Sequence, residues 1–416
     1  MPREGDQNAS RAAEFAARRS YGRLVAFLAA RTGNVAAAED ALADAFAAAL
    51  ADWPASGVPR NPEAWLMAVA RRRLIDAARR RRNSDAAAEH VRLLAEELAD
   101  AAAANHTIPD DSLGLMFACA HPAIDPAIRA PLMLQTVLGL DAARIAAAFL
   151  TSPATMAQRL VRAKHKIRRA GIPLRVPDPT ELPARLDAVL TAIYAGFAEG
   201  WTDATGRRDL ADEAIWLGRL VVALLPTEPE ALGLLALMLH AEARHTARRD
   251  AAGAYVPLAE QHTAAWDNAM IDEAEAVLHR AGAKATIGRY QLEAAVQSVH
   301  AARRVTGLTD WAAIAHLYQA LGQITDSPVV AINHAIAVAE LHGAAVGVAH
   351  LDALLPNGRI AQYQPYWAAR ADLLSRLGAR DAASEAYDRA IGLEADPAVR
   401  TFLEHRRAVV CRSASI

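Results

Sequence analysis

The sequence has little of what a disulfide-bonded, zinc-binding or membrane-spanning protein needs. Cys119 and Cys411 are its only cysteines, which excludes a disulfide framework and a zinc site of the paired-cysteine kind. The longest apolar stretches, 214–225 and 231–239, are too short to cross a bilayer. The first ten residues lack the apolar core of a signal peptide. We therefore expect a cytoplasmic protein that inserts into no membrane and holds no metal or cofactor.

Aromatic residues are also scarce, at 5% of the chain, and few stretches alternate β-branched or aromatic residues with polar ones. Hydrophobic residues make up 53% and charged residues 22%, a balance that excludes global disorder. Alanine and leucine are abundant, and both lose little side-chain entropy in a helix. The composition predicts an all-α protein, and the length of 416 residues predicts two or three domains.

Acidic and basic residues are unevenly distributed. Residues 1–176 hold 24 Lys+Arg against 18 Asp+Glu, whereas the rest of the chain holds 21 against 29. This asymmetry favours a polyanion-binding region joined to a region with another task.

The sequence of residues 140–169 predicts a short helix, a tight turn and a longer basic helix. This order of elements is the pattern of a helix-turn-helix. Steps of four, three and four define the inward seam of the second helix: Met156, Leu160, Ala163 and Ile167. Ser152 is placed to cap this helix, leaving free amides at the helix start to face a DNA phosphate, and is therefore a candidate DNA-binding residue. The opposite side gathers residues that can contact phosphates or base edges, Thr155, Gln158, Arg159, Arg162, Lys166 and Arg169. The alternative is a surface helix with a solvated basic face.

A second basic feature ends an earlier predicted helix. Seven arginines lie within twelve positions: Arg71, Arg72, Arg73, Arg79, Arg80, Arg81 and Arg82. Such concentrated charge gains affinity for a nucleic-acid backbone by releasing counterions, and the alternative is a solvated charge run before a linker. Two basic helices on either side of a flexible linker predict a protein that meets DNA at two places.

These segments resemble a known family. Ala38–Phe46 and Pro62–Asp76, with the arginines that follow, resemble region two of extracytoplasmic-function sigma factors, and the helix-turn-helix resembles their region four. Further motifs resemble the subgroup with a C-terminal tetratricopeptide-like extension: Cys119-Ala-His121-Pro122, Tyr194-Ala-Gly-Phe197-Ala-Glu199-Gly200, Arg289-Tyr290-Gln291-Leu292, Thr309-Asp310-Trp311 and Ser327-Pro-Val-Val-Ala-Ile-Asn333.

The resemblance implies a domain order and partners. It implies sigma region 2 at 10–83, a linker at 84–112, sigma region 4 at 113–175 and a tetratricopeptide-like regulatory domain at 182–410. The implied partners are core RNA polymerase and double-stranded promoter DNA, with the arginine run at the minus-ten element and the helix-turn-helix at the minus-thirty-five element. Glu39, Asp40 and Asp44 would face the polymerase and steer association; the alternative is an ordinary solvated helix face.

The C-terminal part is expected to regulate the sigma regions. Its acidic balance allows it to dock on the basic regions or on the polymerase. Six residues fit the spacing of a tetratricopeptide repeat: Trp367, Ala371, Leu374, Ala383, Tyr387 and Ala390. The sequence of residues 244–261 predicts a long loop. Another group either packs in the core or contacts the DNA-binding half: Tyr194, Phe197, Glu199 and Trp201.

Two other function classes remain as alternatives. One is a helix-turn-helix regulator with a repeat-type sensor domain that works without the polymerase. The other is an enzyme with a catalytic C-terminal half. No phosphate loop, metal triad or nucleophile motif supports an enzyme, so we predict that the protein is not one.

Overall fold

The regular structure of the chain is helical. A computed structural model describes residues 4–80, 111–149, 151–178, 180–202, 208–283, 286–355 and 360–412. Within these ranges the α-helices are α1 (Glu4–Thr32), α2 (Val35–Ser56), α3 (Pro62–Arg80), α4 (Ser112–Cys119), α5 (Pro126–Thr136), α6 (Ala142–Ala148), α7 (Pro153–Arg169), α8 (Pro183–Thr202), α9 (Arg208–Leu224), α10 (Pro229–Glu242), α11 (Asn268–Gly282), α12 (Arg289–Ala301), α13 (Arg303–Thr306), α14 (Trp311–Ile324), α15 (Pro328–His342), α16 (Ala344–Asp352), α17 (Gln364–Arg376), α18 (Arg380–Leu393) and α19 (Pro397–Arg412). The described residues contain no strand, so the predicted all-α class is confirmed.

The chain divides into two compact units, Met1–Leu220 and Val221–Ile416. The division falls within α9, beyond the boundary near residue 180 that the sequence predicts. None of the described helices is long and apolar enough to span a bilayer.

The first unit begins with α1, α2 and α3, which pack on one another. α2 starts after Asn34, whose side chain accepts a hydrogen bond from the Ala37 N–H. Asn61 caps α3 in the same way through the Ala64 N–H. α2 continues through Pro54 in its last turn and stops at Gly57, whose φ of 82° few other residues adopt.

The rest of the first unit contains the predicted helix-turn-helix. α6 and α7 pack on each other, and both contact α5. α8 packs on α4 and α5, which places the start of the predicted C-terminal domain against the predicted region four. The predicted linker at 84–112 lies almost entirely outside the described residues.

The second unit is a succession of paired helices. α10 packs on α11 and α12, and from α14 to α19 each helix packs on the next. The six residues that fit tetratricopeptide spacing, Trp367 to Ala390, are all buried. Between α10 and α11, where the sequence predicts a long loop at 244–261, the chain forms three short 3-10 turns: His245–Arg248, Leu258–Glu260 and Thr263–Ala265. Arg303 donates hydrogen bonds to three carbonyl groups of this segment.

Candidate nucleic-acid interface

The candidate DNA-binding helix is α7, and its start is fixed by local hydrogen bonds. The Ser152 hydroxyl accepts from the Thr155 N–H at 3.2 Å, and Pro153 occupies the first turn. Asp141 caps α6 through the N–H groups of Ala143 and Arg144. Both helices therefore begin at a residue whose side chain accepts hydrogen bonds from backbone N–H groups of the first turn, which have no partner within the helix.

α7 divides its side chains between a buried seam and an open face. The seam predicted from spacing is buried in full: Met156, Leu160, Ala163 and Ile167. The side chains predicted to contact DNA are all exposed: Thr155, Gln158, Arg159, Arg162, Lys166 and Arg169. Arg162 donates to the Gln158 amide oxygen at 3.3 Å. The face extends about 21 Å along the helix, and a major groove about 12 Å wide admits a helix of this kind.

Part of this face lines a groove. Arg159, Arg162 and Lys166 form one wall of a cavity of about 460 Å³. The other wall is formed by residues before and at the start of α5: Ala123, Ile124, Asp125, Ala127 and Ile128. The cations are thus held at the edge of a concave surface. Such a surface can take a phosphate group against the arginines.

The arginine run is only partly described. Arg72 and Arg73 are exposed on α3, and Arg71 is half-buried. α3 extends to Arg80, but the side chains of Arg79 and Arg80 and the whole of Arg81 and Arg82 lie outside the described residues. The described part of the run is therefore accessible.

The three acidic residues of α2 have different surroundings. Asp40 and Asp44 are exposed, and Asp44 lies 3.8 Å from the Arg73 Nε. Glu39 instead bonds to the Lys164 ammonium group of α7 at 2.5 Å. Burial raises the pKa of Glu39, and Lys164 opposes this shift. Asp40 and Asp44 are accessible to a partner, with Asp44 in an exposed ion pair with Arg73, whereas Glu39 is occupied within the chain.

Lys164 is a functional candidate that spacing arguments overlooked. At 100° per residue it lies 180° from Thr155 around α7, away from the cations predicted to contact DNA. This position indicates a separate contact, although the partner on α2 could not be inferred from local sequence. The helix therefore uses one cation inside the unit and presents the others to solvent.

A second contact joins the helix-turn-helix to α8. Arg144 of α6 donates from Nε and Nη2 to one Glu199 oxygen, at 2.9 and 2.5 Å. Phe197 of α8 is buried. The sequence leaves two hypotheses for Tyr194, Phe197, Glu199 and Trp201: packing in the core, or contact with the DNA-binding half. Glu199 makes a contact with the helix-turn-helix, and Phe197 packs in the core.

Other chemistry has little support in the described residues. They contain no cluster of three or more His, Cys, Asp or Glu side chains that could hold a metal ion. Burial raises the pKa of the Cys119 thiol to about 12, so this thiol is a poor nucleophile. The features gathered at the surface are cationic and suited to a polyanion.

The comparisons with known proteins agree with this arrangement. Residues 17–84 match the family model described as Sigma-70 region 2, and residues 185–282 match that of a family of unknown function, DUF6596. An uncharacterized protein of Rhizobium meliloti (strain 1021), R00370, is 40% identical over 389 residues, which cover 90% of this chain and 91% of that protein. No solved structure matches the chain. A sigma-70 region 2 domain over α1 to α3 is joined to a DUF6596 domain that begins in α8, an arrangement consistent with an extracytoplasmic-function-like (ECF-like) sigma factor that carries a C-terminal extension. The chain belongs to the family of this Rhizobium protein.

Proposed function

We propose that the protein joins core RNA polymerase, directs it to a restricted set of promoters and helps to melt the initiation site, without catalysing a reaction itself. The observation that supports this most strongly is the exposed basic face of α7 in a chain that also carries a sigma-70 region 2 domain. Because polymerase and promoters are cytoplasmic in bacteria, the protein would act there.

Each candidate surface has a place in this proposal. Thr155, Gln158, Arg159 and Arg162 would contact the upstream element in the major groove, where Gln and Arg can bond to base edges. Lys166 and Arg169 would hold the DNA backbone, and the Ser152 cap would set the helix start. The arginines at 71–73 and 79–82 would act near the minus-ten element, and Asp40 and Asp44 would face the polymerase.

The C-terminal helical pairs would regulate this activity as a tetratricopeptide-like domain. Contact with the sigma regions has structural support within the first unit, where α8 packs on α4 and α5 and Glu199 bonds Arg144. An effector that moves α8 would reach the helix-turn-helix directly.

A pull-down of core polymerase followed by in vitro transcription on genomic DNA tests the proposal. The full chain should bind core enzyme and start transcripts at a limited number of sites. Binding to operator DNA without any association with core enzyme would instead support the polymerase-independent regulator.

A further inference from the structure

The second unit contains a cavity that belongs to none of the candidate surfaces described above. It lies among α17, α18 and α19 and has a volume of about 530 Å³, equal to a cube with an edge of about 8 Å. Small-molecule sites in proteins have volumes of about 300–1,000 Å³. Part of the lining is apolar, from Phe402, Val409 and Val410 of α19. The cavity therefore has the size of a small-molecule site and an apolar surface for the body of a ligand.

The segment between α10 and α11 supplies one further side chain, that of Glu260. Arg303 of α13 donates hydrogen bonds to the carbonyl oxygens of the residues on either side of Glu260, at 3.3 and 3.0 Å. The Tyr255 ring of the same segment packs edge-on against Phe402, with ring centroids 5.5 Å apart. These contacts fix the segment against the helices, so the Glu260 carboxylate is held at the cavity.

The three arginines that line the cavity differ in their partners. Arg406 pairs with Asp372 at 2.5 Å, and Arg376 pairs with Glu340 at 2.5 Å. Arg380, at the start of α18, is exposed, and its guanidinium group has no ion pair or hydrogen bond with the described residues. A guanidinium group binds a carboxylate through two parallel hydrogen bonds. Arg380 can therefore bind an anion without losing a partner within the chain.

Glu260 carries the opposite charge in a similar state. Its side chain is exposed, and within the described part of the chain its carboxylate pairs with no cation and accepts no hydrogen bond. The cavity thus offers a ligand one unpaired cation, one unpaired anion and an apolar surface. The complementary ligand carries a carboxylate and an ammonium group on an apolar body.

We propose that this cavity binds a small zwitterion with an apolar body, of the size of a dipeptide. The ligand carboxylate binds Arg380, its ammonium group binds Glu260, and its side chains contact Phe402 and Val409. An extended dipeptide spans about 7 Å, which fits an edge of about 8 Å. The inference goes beyond the function proposed above and does not depend on it.

Isothermal titration calorimetry of the full-length protein with the dipeptide Leu-Leu tests the proposal. N-acetyl-Leu-Leu lacks the ammonium group, and Leu-leucinamide lacks the carboxylate. Each should bind about tenfold or more weakly than Leu-Leu, because each loses one charged hydrogen-bonded contact. Leucine has the same charges on a shorter body and should also bind more weakly than Leu-Leu.

Two variants connect each charge of the dipeptide to one side chain. Arg380→Gln should weaken Leu-Leu binding about tenfold and remove the difference between Leu-Leu and Leu-leucinamide. Glu260→Gln should weaken it similarly and remove the difference between Leu-Leu and N-acetyl-Leu-Leu. Arg412→Gln and Glu385→Gln are the matched controls, since both residues are exposed and neither lines the cavity. They should bind Leu-Leu like wild type.

The wild-type titrations alone can overturn the inference. It is wrong if Leu-Leu shows no saturable binding at millimolar concentration, if the blocked peptides bind as tightly as Leu-Leu, or if leucine binds as tightly as the dipeptide. Circular dichroism shows whether each variant is folded, and the blocked peptides decide the question if one is not. Because calorimetry requires no polymerase, a negative result would leave the proposed function unaffected.

Discussion

Two histidines of the second unit lie where water solvates a charge poorly. His240 of α10 is 1% exposed, and its Nε2 lies 3.5 Å from a Glu275 carboxylate oxygen, too far for a good hydrogen bond. His300 of α12 packs edge-on against Trp311. Burial, followed by the nearby Arg244, lowers the pKa of each histidine to about 4. Both are therefore neutral in the folded protein at neutral pH.

These histidines should make the protein less stable in acid. Unfolded histidine titrates at about 6.5, so between this value and about 4 the unfolded chain binds more protons than the folded one. The free energy of unfolding then falls as the pH drops through this window, by up to about 1.4 kcal/mol per pH unit for each histidine. Thermal melts above and below the window should show the loss.

His300→Gln should reduce this pH dependence, and His279→Gln, on the exposed side of α11, is the matched control. The same pH dependence in wild type and His300→Gln would show that His300 does not contribute.

Two glycines of the second unit should respond to alanine in opposite ways. Gly322 is exposed within α14, and a Cβ there would meet nothing within 4 Å. Gly322→Ala should raise the free energy of unfolding by about 0.5–1 kcal/mol, since alanine favours a helix. At Gly288 a Cβ would lie 2.2 Å from the Glu230 carboxyl carbon. Gly288→Ala would push this carboxylate away from the Tyr290 and Gln291 N–H groups that donate to it, so the free energy of unfolding should fall by about 0.5–2 kcal/mol, as for the loss of a helix cap. Urea denaturation measures both, and equal effects would contradict the packing described at Glu230.

Glu230 also shows what local sequence cannot predict about single residues. Its carboxylate accepts hydrogen bonds from the Tyr290 and Gln291 N–H groups, at 3.0 and 3.2 Å. Glu230, sixty positions before Tyr290, therefore fixes the position of the motif at 289–292. Helical spacing contains no information about such a partner.

At the scale of single helices, the outward face of α7 gives a prediction for DNA binding. Each cation that neutralises a phosphate releases counterions. In a plot of the logarithm of affinity against the logarithm of salt concentration, each such contact makes the slope steeper by about 0.9. Arg162→Ala should therefore weaken binding of the polymerase complex to promoter DNA and reduce the salt slope by about 1. Filter binding over a range of salt concentrations measures both quantities.

Arg168→Ala is the matched control, since Arg168 is exposed on the same helix but lies about 130° around it from the centre of the basic face. Equal losses for the two variants would mean that general charge, not this face, carries the interaction.

Helices with a strong apolar period could be predicted well. The seam of α7 and the Asn34 start of α2 follow from spacing and capping, because both depend on residues a few positions apart. The turn-forming residues around Pro54 favour a break in the chain, yet Pro54 lies in the last turn of α2. Its missing N–H removes only one helical hydrogen bond, to the carbonyl group four residues earlier. The surroundings of Glu39 could not be predicted, because Lys164 is 125 residues away.

At the scale of the whole molecule, the first compact unit includes more chain than the sequence predicts. The proline-spaced run near residue 178 indicates a boundary, yet α8 beyond it packs on α4 and α5. Gly196 of α8 lies so close to Leu138 that a Cβ would be 2.3 Å from the Leu138 Cδ1. Arg185, which is 4% exposed, donates to the Phe117 carbonyl oxygen. Prolines and other turn-forming residues indicate where the chain bends. Tertiary contacts decide which compact unit the following helix belongs to.

This boundary determines how the regulatory part should be removed. Five apolar side chains of α8 are buried, Leu186, Val189, Leu190, Ile193 and Phe197, and burying one such side chain contributes about 1.5–3 kcal/mol. A chain cut after Pro177 loses all of them and exposes their partners on α5, so it should melt without cooperativity or aggregate. A chain cut after Leu225 keeps α8 and α9 and should give a cooperative thermal transition. Circular dichroism melts of the two fragments distinguish these outcomes; equal stability would mean that α8 contributes nothing to the first unit.

Because only the longer fragment retains the α6–α8 contact through Arg144 and Glu199, its transcription activity, not that of the shorter one, reports what the remaining C-terminal helices do.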